Sequence, residues 1–157
     1  MMNRLTFEEY ACFLALVASS RSEDPHTRVG CAILNKDGRI LSTGYNGLKS
    51  GIPFMDWMLD NVNREKKLLF MVHAEINALS MVKRGEGHLI ALTHSPCMSC
   101  SQAIIAHGIN EVIYLKEYHR CDKYKSIFNE YNIKYKQLEE NSCQKIKNVI
   151  QYFHESL

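Results

Sequence analysis

Two short motifs contain the residue types that bind metals and transfer protons. One is His73-x-Glu75, within the run VHAEINAL, and the other is Cys97-x-x-Cys100, preceded by proline in SPCMSC. Each motif alone is ambiguous. A histidine just before a helix is often a surface or capping residue, and a Cys-x-x-Cys pair also occurs in redox sites and structural zinc sites, or by chance. Their function therefore depends on whether the fold brings them together.

Taken together, the two motifs predict a hydrolytic zinc site. One imidazole and two thiolates, from His73, Cys97 and Cys100, suit Zn²⁺. The sequence has no second Cys-x-x-Cys or His-x-x-x-His, so a coordination position would remain for water, as in catalytic zinc sites. Zinc lowers the pKa of bound water toward about 7, and Glu75 could accept the proton. The pattern matches the H-x-E…P-C-x-x-C signature of zinc deaminases.

The elements that must position these residues follow from the apolar periodicity and the turn signals. A capping box from Thr6 to Glu9 starts a first helix over 6–20, and a Gly38 turn joins two strands into a hairpin. The remaining pattern predicts an irregular helix over 54–69, helices over 74–82, 97–106, 123–131 and 143–157, and strands over 88–95, 111–115 and 133–138. We therefore expect an α/β protein in which a central mixed sheet lies between two helical layers, with residues 1–157 forming a single domain.

Composition excludes several classes of protein. The chain has 157 residues and a net charge of +2, which is too small to favour nucleic-acid binding on bulk electrostatics. No apolar run approaches the roughly 20 residues of a membrane helix, and the N-terminus lacks a signal-peptide pattern, so we expect a cytoplasmic protein without membrane association. The six cysteines are not expected to form a disulfide framework, and only Cys97 and Cys100 have ligand spacing.

Four blocks of the sequence resemble the deoxycytidylate (dCMP) deaminase family of the cytidine deaminase-like superfamily. They are EDPHTRVG at 23–30, GYNG at 44–47, HAEINA at 73–78 and SPCMSC at 95–100, and the resemblance covers about residues 5–135. It implies a three-layer α/β/α cytidine deaminase-like fold with five strands in the central sheet. It also implies zinc-dependent hydrolysis of dCMP to dUMP and ammonia, in pyrimidine deoxynucleotide metabolism.

The resemblance also implies roles for individual residues. His73, Cys97 and Cys100 would bind zinc, and Glu75 would move a proton from the zinc-bound water to N3 of the base and then to the departing amine. The backbone N–H of Ala74 would contact the base. Asn46 would contact the base and sugar, although an Asn-Gly pair is also a common turn.

A nucleotide monophosphate needs donors for its phosphate. Arg28, Tyr118 and Arg120 are the candidates, since arginine offers a bidentate fork and tyrosine a hydroxyl. The alternative for both arginines is an ordinary solvated surface charge.

The family commonly forms hexamers, and many members are activated by dCTP and inhibited by dTTP. We therefore expect a homo-oligomer and treat these nucleotides as possible effectors. The sequence departs from the family's pattern in this region, because Lys49 stands where the family often has proline and only Asp56 supplies a carboxylate in the stretch IPFMDW. The bulky residues near Trp57 fit either the core or a subunit interface.

Alternatives remain open at this point. The enzyme could act on dCTP, CMP or a base in tRNA instead of dCMP. The same ligands could also stabilise a non-catalytic binding module, which would tolerate the loss of Glu75.

Overall fold

The computed structural model describes residues 4–119 and 121–157. The strands in this part of the chain are β1 (Gly30–Leu34), β2 (Ile40–Tyr45), β3 (Leu89–His94), β4 (Glu111–Lys116) and β5 (Lys134–Gln137). The α-helices are α1 (Phe7–Ser19), α2 (Arg64–Leu68), α3 (Ala74–Leu79), α4 (Met98–Ala106), α5 (Tyr124–Glu130) and α6 (Glu140–Ser156).

The five strands form one mixed sheet in the order β2-β1-β3-β4-β5. β1 is antiparallel to both β2 and β3, whereas β3, β4 and β5 run parallel. Parallel strands need a crossover connection. Here α4 connects β3 to β4, and α5 connects β4 to β5. The expected mixed five-stranded sheet is confirmed.

Alternating side chains along the strands build two apolar cores, one on each face of the sheet. Cys31 and Ile33 of β1 point into the core formed with α3, α4 and α5. Their neighbours Ala32 and Leu34 point into the core formed with α1 and α6. Period-2 alternation with both faces apolar is the pattern of a sheet covered on both sides, which confirms the three-layer arrangement.

The predicted capping box at the start of α1 is present. Thr6 Oγ1 accepts a hydrogen bond from Glu9 N at 3.2 Å, and Glu9 Oε2 accepts one from Thr6 N at 2.8 Å. The second carboxylate oxygen of Glu9 accepts hydrogen bonds from Ser142 and Lys145 of α6 at 2.7 and 2.8 Å. The cap therefore also ties α1 to the C-terminal helix.

The helix predicted over 54–69 was wrong. The segment contains a 3₁₀ turn at Asp56–Met58 and the short helix α2, separated by turns and bends. Asp60 Oδ1 accepts a hydrogen bond from Asn63 N at 3.1 Å, and such a local side-chain bond competes with helix continuation. Of the bulky residues, Met58 is fully buried, while Met55 and Leu59 are 44% and 50% exposed.

The last helix also begins earlier than predicted, at Glu140. Among the described residues, no helix combines the length and the apolar character needed to cross a bilayer.

Candidate active site

His73 lies at the N-cap of α3, at the end of a short pairing between two loops. Gly47 and Val72 form an isolated antiparallel bridge, with Gly47 N donating to Val72 O at 3.1 Å and Val72 N to Gly47 O at 2.8 Å. The bridge places His73 next to the segment that carries Asn46. The histidine does not cap α3 through a side-chain hydrogen bond, so its ring is available for other contacts.

Cys97 occupies the N-cap of α4, and Cys100 lies in the first turn of that helix. The two sulfurs lie 3.6 Å and 3.3 Å from His73 Nδ1, respectively. All three ligand atoms lie within 4.8 Å of one another. The two motifs, 24 residues apart, are therefore brought together at the N-termini of two neighbouring helices.

These distances fit tetrahedral zinc. With Zn–N and Zn–S bonds of about 2.0 and 2.3 Å, an N···S edge of a tetrahedron is about 3.5 Å. Among the described residues, the cluster of possible ligands at this position contains His73, Cys97 and Cys100 and no fourth His, Cys, Asp or Glu. The donor set thus suits a zinc ion with an open position.

The ionisation of Cys97 also suits a cation. Hydrogen bonds from the Cys100 thiol and from His73 lower the pKa of Cys97 to about 3. The hydrogen bond to Cys97 raises the pKa of Cys100, and the one between His73 and Cys97 raises the pKa of the imidazole. The helix N-terminus at Cys97 favours negative charge as well, so at least one sulfur is a thiolate at neutral pH.

Glu75 lies beside the cluster, and its side chain is 4% exposed. Burial raises the pKa of Glu75, and the negative charge on Cys97 adds to the effect. A carboxyl group with a raised pKa binds a proton more readily near neutral pH, which suits transfer of a proton in both directions. We call His73, Glu75, Cys97 and Cys100 the floor of the site.

Close packing of α3 on β2 fixes the floor. A Cβ atom on Gly44 would lie 2.3 Å from Ala74 O and 2.7 Å from Ala78 N, so glycine permits this approach. Asn77 Nδ2 adds a hydrogen bond of 2.8 Å to Tyr45 O. Gly44 and Tyr45 belong to the block GYNG, and Ala74, Asn77 and Ala78 belong to the block HAEINA. These contacts explain why the two blocks lie together.

The floor closes a cleft with a volume of about 810 Å³, counting its part open to solvent. Asn46, Ala74 and Tyr118 line this cleft together with His73, Glu75 and Cys97. Ala74 is fully buried, and Tyr118 is held by its backbone N–H, which donates to Ser95 Oγ at 2.7 Å.

The Asn46 side chain forms hydrogen bonds to the backbone of two other residues that line the cleft. Its Oδ1 accepts from Val29 N at 2.7 Å, and its Nδ2 donates to Thr27 O at 2.9 Å. An amide group offers two donors and two lone pairs, so one of each remains for a ligand. An Asn-Gly turn alone would not predict these hydrogen bonds to residues 27 and 29, which are far from Asn46 in the sequence.

The predicted phosphate contacts have different positions. Arg28 is exposed and is not among the residues lining the cleft, so its assignment stays a prediction that the single chain does not support. Arg120 lies outside the described residues. Its neighbour His119 lines a recess next to the cleft, which also includes Arg64, His94 and Tyr118.

Sequence reasoning missed a second group of residues that line the cleft. They are Arg64, Lys67, Leu68 and Met71, and we call them the rim. Lys67 Nζ lies 3.0 Å from both carboxylate oxygens of Asp24. Asp24 was part of the EDPHTRVG block and could have been singled out by its place before proline, but no sequence pattern marks Lys67 as its partner.

A second recess lies around the loop after β2. It is lined by Arg21, Tyr45, Lys49 and Asn77 among others, and Lys49 itself is exposed. Binding of dCTP or dTTP as effectors stays a prediction, as does assembly into an oligomer.

Comparison with known proteins identifies relatives of the chain. A family described as the cytidine and deoxycytidylate deaminase zinc-binding region matches residues 5–116. The human deoxycytidylate deaminase is 34% identical over 127 residues, covering 76% of this chain and 70% of the human protein. The deoxycytidylate deaminase of Mycobacterium phage D29 is 33% identical over 132 residues, covering 74% of this chain and 99% of the phage protein.

Solved structures agree with these relatives. The dCMP deaminase of cyanophage S-TIM5, crystallised without ligand, has a TM-score of 0.66 at 26% identity and covers 83% of this chain and 96% of its own. The same enzyme in complex with dCMP and dUMP gives a TM-score of 0.64 at 27% identity, covering 79% of this chain and 90% of its own.

Proposed function

Because the chain belongs to the cytidine and deoxycytidylate deaminase family, we propose that it hydrolyses dCMP to dUMP and ammonia at the floor of the cleft. The observation that carries this proposal is the convergence of three metal-binding side chains with the buried carboxyl group of Glu75. A binding module stabilised by zinc has no need for a buried acid beside an open coordination position.

His73, Cys97 and Cys100 would hold the zinc ion. Bound there, zinc supplies a Lewis acid that makes water a nucleophile near neutral pH. The rest of the chemistry depends on protein groups that orient the base and move protons.

Glu75 is the proposed proton carrier. It accepts a proton from the water that attacks C4 of the cytosine and delivers it to N3, and it then transfers a proton to the amino group that leaves as ammonia. One water molecule is consumed, and the C4–N bond is replaced by the C4 carbonyl of uracil. Burial favours this role because it raises the pKa of Glu75.

Ala74 and Asn46 are proposed to hold the base and sugar. Both line the cleft next to the floor, and Asn46 keeps one donor and one acceptor in addition to its bonds to residues 27 and 29.

The phosphate is proposed to bind at the rim and near Tyr118. Arg64 and Lys67 are the arginine and lysine among the cleft-lining residues, and the charge of Lys67 is already paired with Asp24. Within the described part of the chain, Arg64 makes no ion pair. Arg64 therefore takes the place that the sequence hypothesis gave to Arg28, with the Tyr118 hydroxyl as a second donor.

The test is an assay of the zinc-loaded protein with dCMP, CMP, dCTP and deoxycytidine as substrates. Deamination is monitored by ammonia release and by ultraviolet absorbance. We expect dCMP to be the preferred substrate. Loss of bound zinc and of activity in His73→Ala, with both kept in His107→Ala on the far end of α4, would support the metal assignment. Absence of turnover with all four substrates by zinc-loaded protein would refute the proposed function.

Replacement of Arg64 tests the phosphate site. We expect Arg64→Met to raise KM for dCMP by about tenfold or more, because a charge-assisted bond to phosphate is lost, while KM for deoxycytidine stays nearly unchanged. Arg84→Met, an exposed arginine that does not line the cleft, is the matched control and should leave both values unchanged. Equal effects of the two substitutions would contradict the assignment of Arg64.

A further inference from the structure

The helix α2, which forms most of the rim, is anchored by a charged side chain. Lys67 is the buried residue of this five-residue helix, at 2% exposure, and its partner Asp24 is 3% exposed. A lysine is almost never fully buried unless it is paired, so the two residues depend on each other.

Asp24 extends this connection along the wall of the cleft. Its Oδ1 also accepts hydrogen bonds from His26 N at 2.8 Å and Thr27 N at 3.2 Å. Thr27 O in turn accepts the Asn46 amide. A continuous series of polar contacts therefore runs from α2 through Asp24 to Asn46 beside the floor.

The other side chains of α2 are exposed or half-buried. Leu68 and Leu69 are 37% and 85% exposed, and the N-cap residue Asn63 makes no capping bond with its side chain. His26 Nε2 lies 2.9 Å from Leu59 O, but this contact is exposed to solvent. An apolar side chain could stabilise such a helix as well as a buried ion pair does, whereas the pair fixes one particular geometry through its directed hydrogen bonds.

We propose that Asp24 and Lys67 form a positioning pair that fixes the rim against the cleft wall and thereby sets the preference for a phosphorylated substrate. The inference rests on the proposed function, because it takes the rim residue Arg64 as the phosphate ligand. Neither Asp24 nor Lys67 needs to touch the substrate, since each has its charge satisfied by the other.

The experiment compares three variants with the wild type. Lys67→Met leaves Asp24 buried without its partner. The double variant Asp24→Asn/Lys67→Met removes both charges, so that the protein folds without an unpaired buried carboxylate. Lys145→Met is the matched control, because Lys145 pairs at 2.8 Å with Glu9, another carboxylate that is 2% exposed, where α6 packs on α1.

The first measurement is the ratio of kcat/KM for dCMP to that for deoxycytidine. We expect the ratio to fall by about tenfold to a hundredfold in Lys67→Met and in the double variant, mainly through KM for dCMP, because displaced phosphate ligands lose their alignment. Lys145→Met should keep the wild-type ratio even if its melting temperature falls.

The second measurement is hydrogen–deuterium exchange of the backbone amides of residues 59–72. Faster exchange in Lys67→Met and in the double variant, with no change in Lys145→Met, is the expected result. Wild-type exchange in the double variant, or a wild-type substrate ratio in it, would overturn the inference. If the wild type deaminates neither substrate, the proposed function fails, and the exchange data alone decide whether the pair fixes the rim.

Discussion

The floor and the rim of the cleft are built on different physical principles. The floor lies at the N-termini of α3 and α4, which pack on the sheet through fully buried residues such as Ala74, Ala78 and Ile104. The rim rests on a five-residue helix with one buried side chain, and that side chain is charged. Its neighbours Val62 and Leu69 are 91% and 85% exposed.

The two regions also have different proposed roles: the reaction takes place at the floor, and the rim selects the substrate. A zinc site and a proton carrier need atoms fixed to within a fraction of an ångström, which close apolar packing provides. The rim is held by the Asp24–Lys67 pair in place of such packing, and segments with little apolar packing open at lower free energy. Changes to the floor should therefore affect kcat or folding strongly, and changes to the exposed rim should have small effects on stability.

The largest effect is expected from Glu75→Gln. The amide keeps the size of the side chain but cannot carry the proton, so kcat should fall by about 10²- to 10⁴-fold while zinc stays bound. Steady-state kinetics with metal analysis checks this result, and Glu130→Gln, on the exposed side of α5, is the control. Near-normal turnover in Glu75→Gln would mean that the floor is not the reaction centre.

The next effect concerns the packing that fixes the floor. In Gly44→Ala the new Cβ would lie 2.3 Å from Ala74 O, so α3 must shift, at a cost of about 1–3 kcal/mol in the free energy of unfolding. Activity should fall as well, because His73 and Glu75 move with α3. Urea unfolding of Gly44→Ala should be compared with that of Gly47→Ala, where the nearest atom to a Cβ is 3.9 Å away. Equal stability of the two variants would contradict close packing at this point.

A pH-dependent effect on stability is expected from Glu9 of α1, which lies outside both the floor and the rim. Burial alone would raise the pKa of Glu9, but hydrogen bonds from Lys145, Thr6 and Ser142 outweigh it and lower the pKa from 4.5 to about 2. Because the folded pKa is the lower one, the stabilisation is complete above pH 4.5 and is lost as the pH falls toward 2. We estimate it at about 2 kcal/mol near neutral pH, since Lys145 is 40% exposed and solvent screens the pair.

Urea unfolding of the wild type and Glu9→Gln measures this contribution. The difference in unfolding free energy between the two proteins should shrink by about half between pH 6 and pH 3. A difference that does not depend on pH would show that Glu9 acts through packing rather than through its charge.

The sequence was sufficient to predict the floor because its signals are local and have few alternatives. Cys97 and Cys100 are one helical turn apart, and the apolar periodicity after His73 and Cys97 identifies two helix starts. Alternating apolar residues in the strands then require a covered sheet, which brings such helix ends to one edge.

The rim could not be predicted in the same way. Lys66 and Lys67 are adjacent in a polar run, and nothing in the sequence distinguishes the lysine that is buried from the one that is exposed. The pairing of Lys67 with Asp24, 43 residues away, exists only once the chain is folded. The breaks near Asp60 likewise depend on a side-chain hydrogen bond that competes with helix formation, which apolar periodicity does not reveal.

The smallest effect is expected from Trp57→Ala, just before the rim. The Trp57 ring lies 4.4 Å from Lys66 Nζ and meets Phe70 edge-on at 5.8 Å between ring centroids, but all three side chains contact solvent. Exposed cation–π and aromatic pairs contribute about 0.5–1 kcal/mol, so the melting temperature should change by only a few degrees and kcat should stay close to the wild-type value. Thermal unfolding beside Gly44→Ala is the measurement. A loss as large as that of Gly44→Ala would mean that the rim is packed as firmly as the floor, and that the contrast between the two regions is wrong.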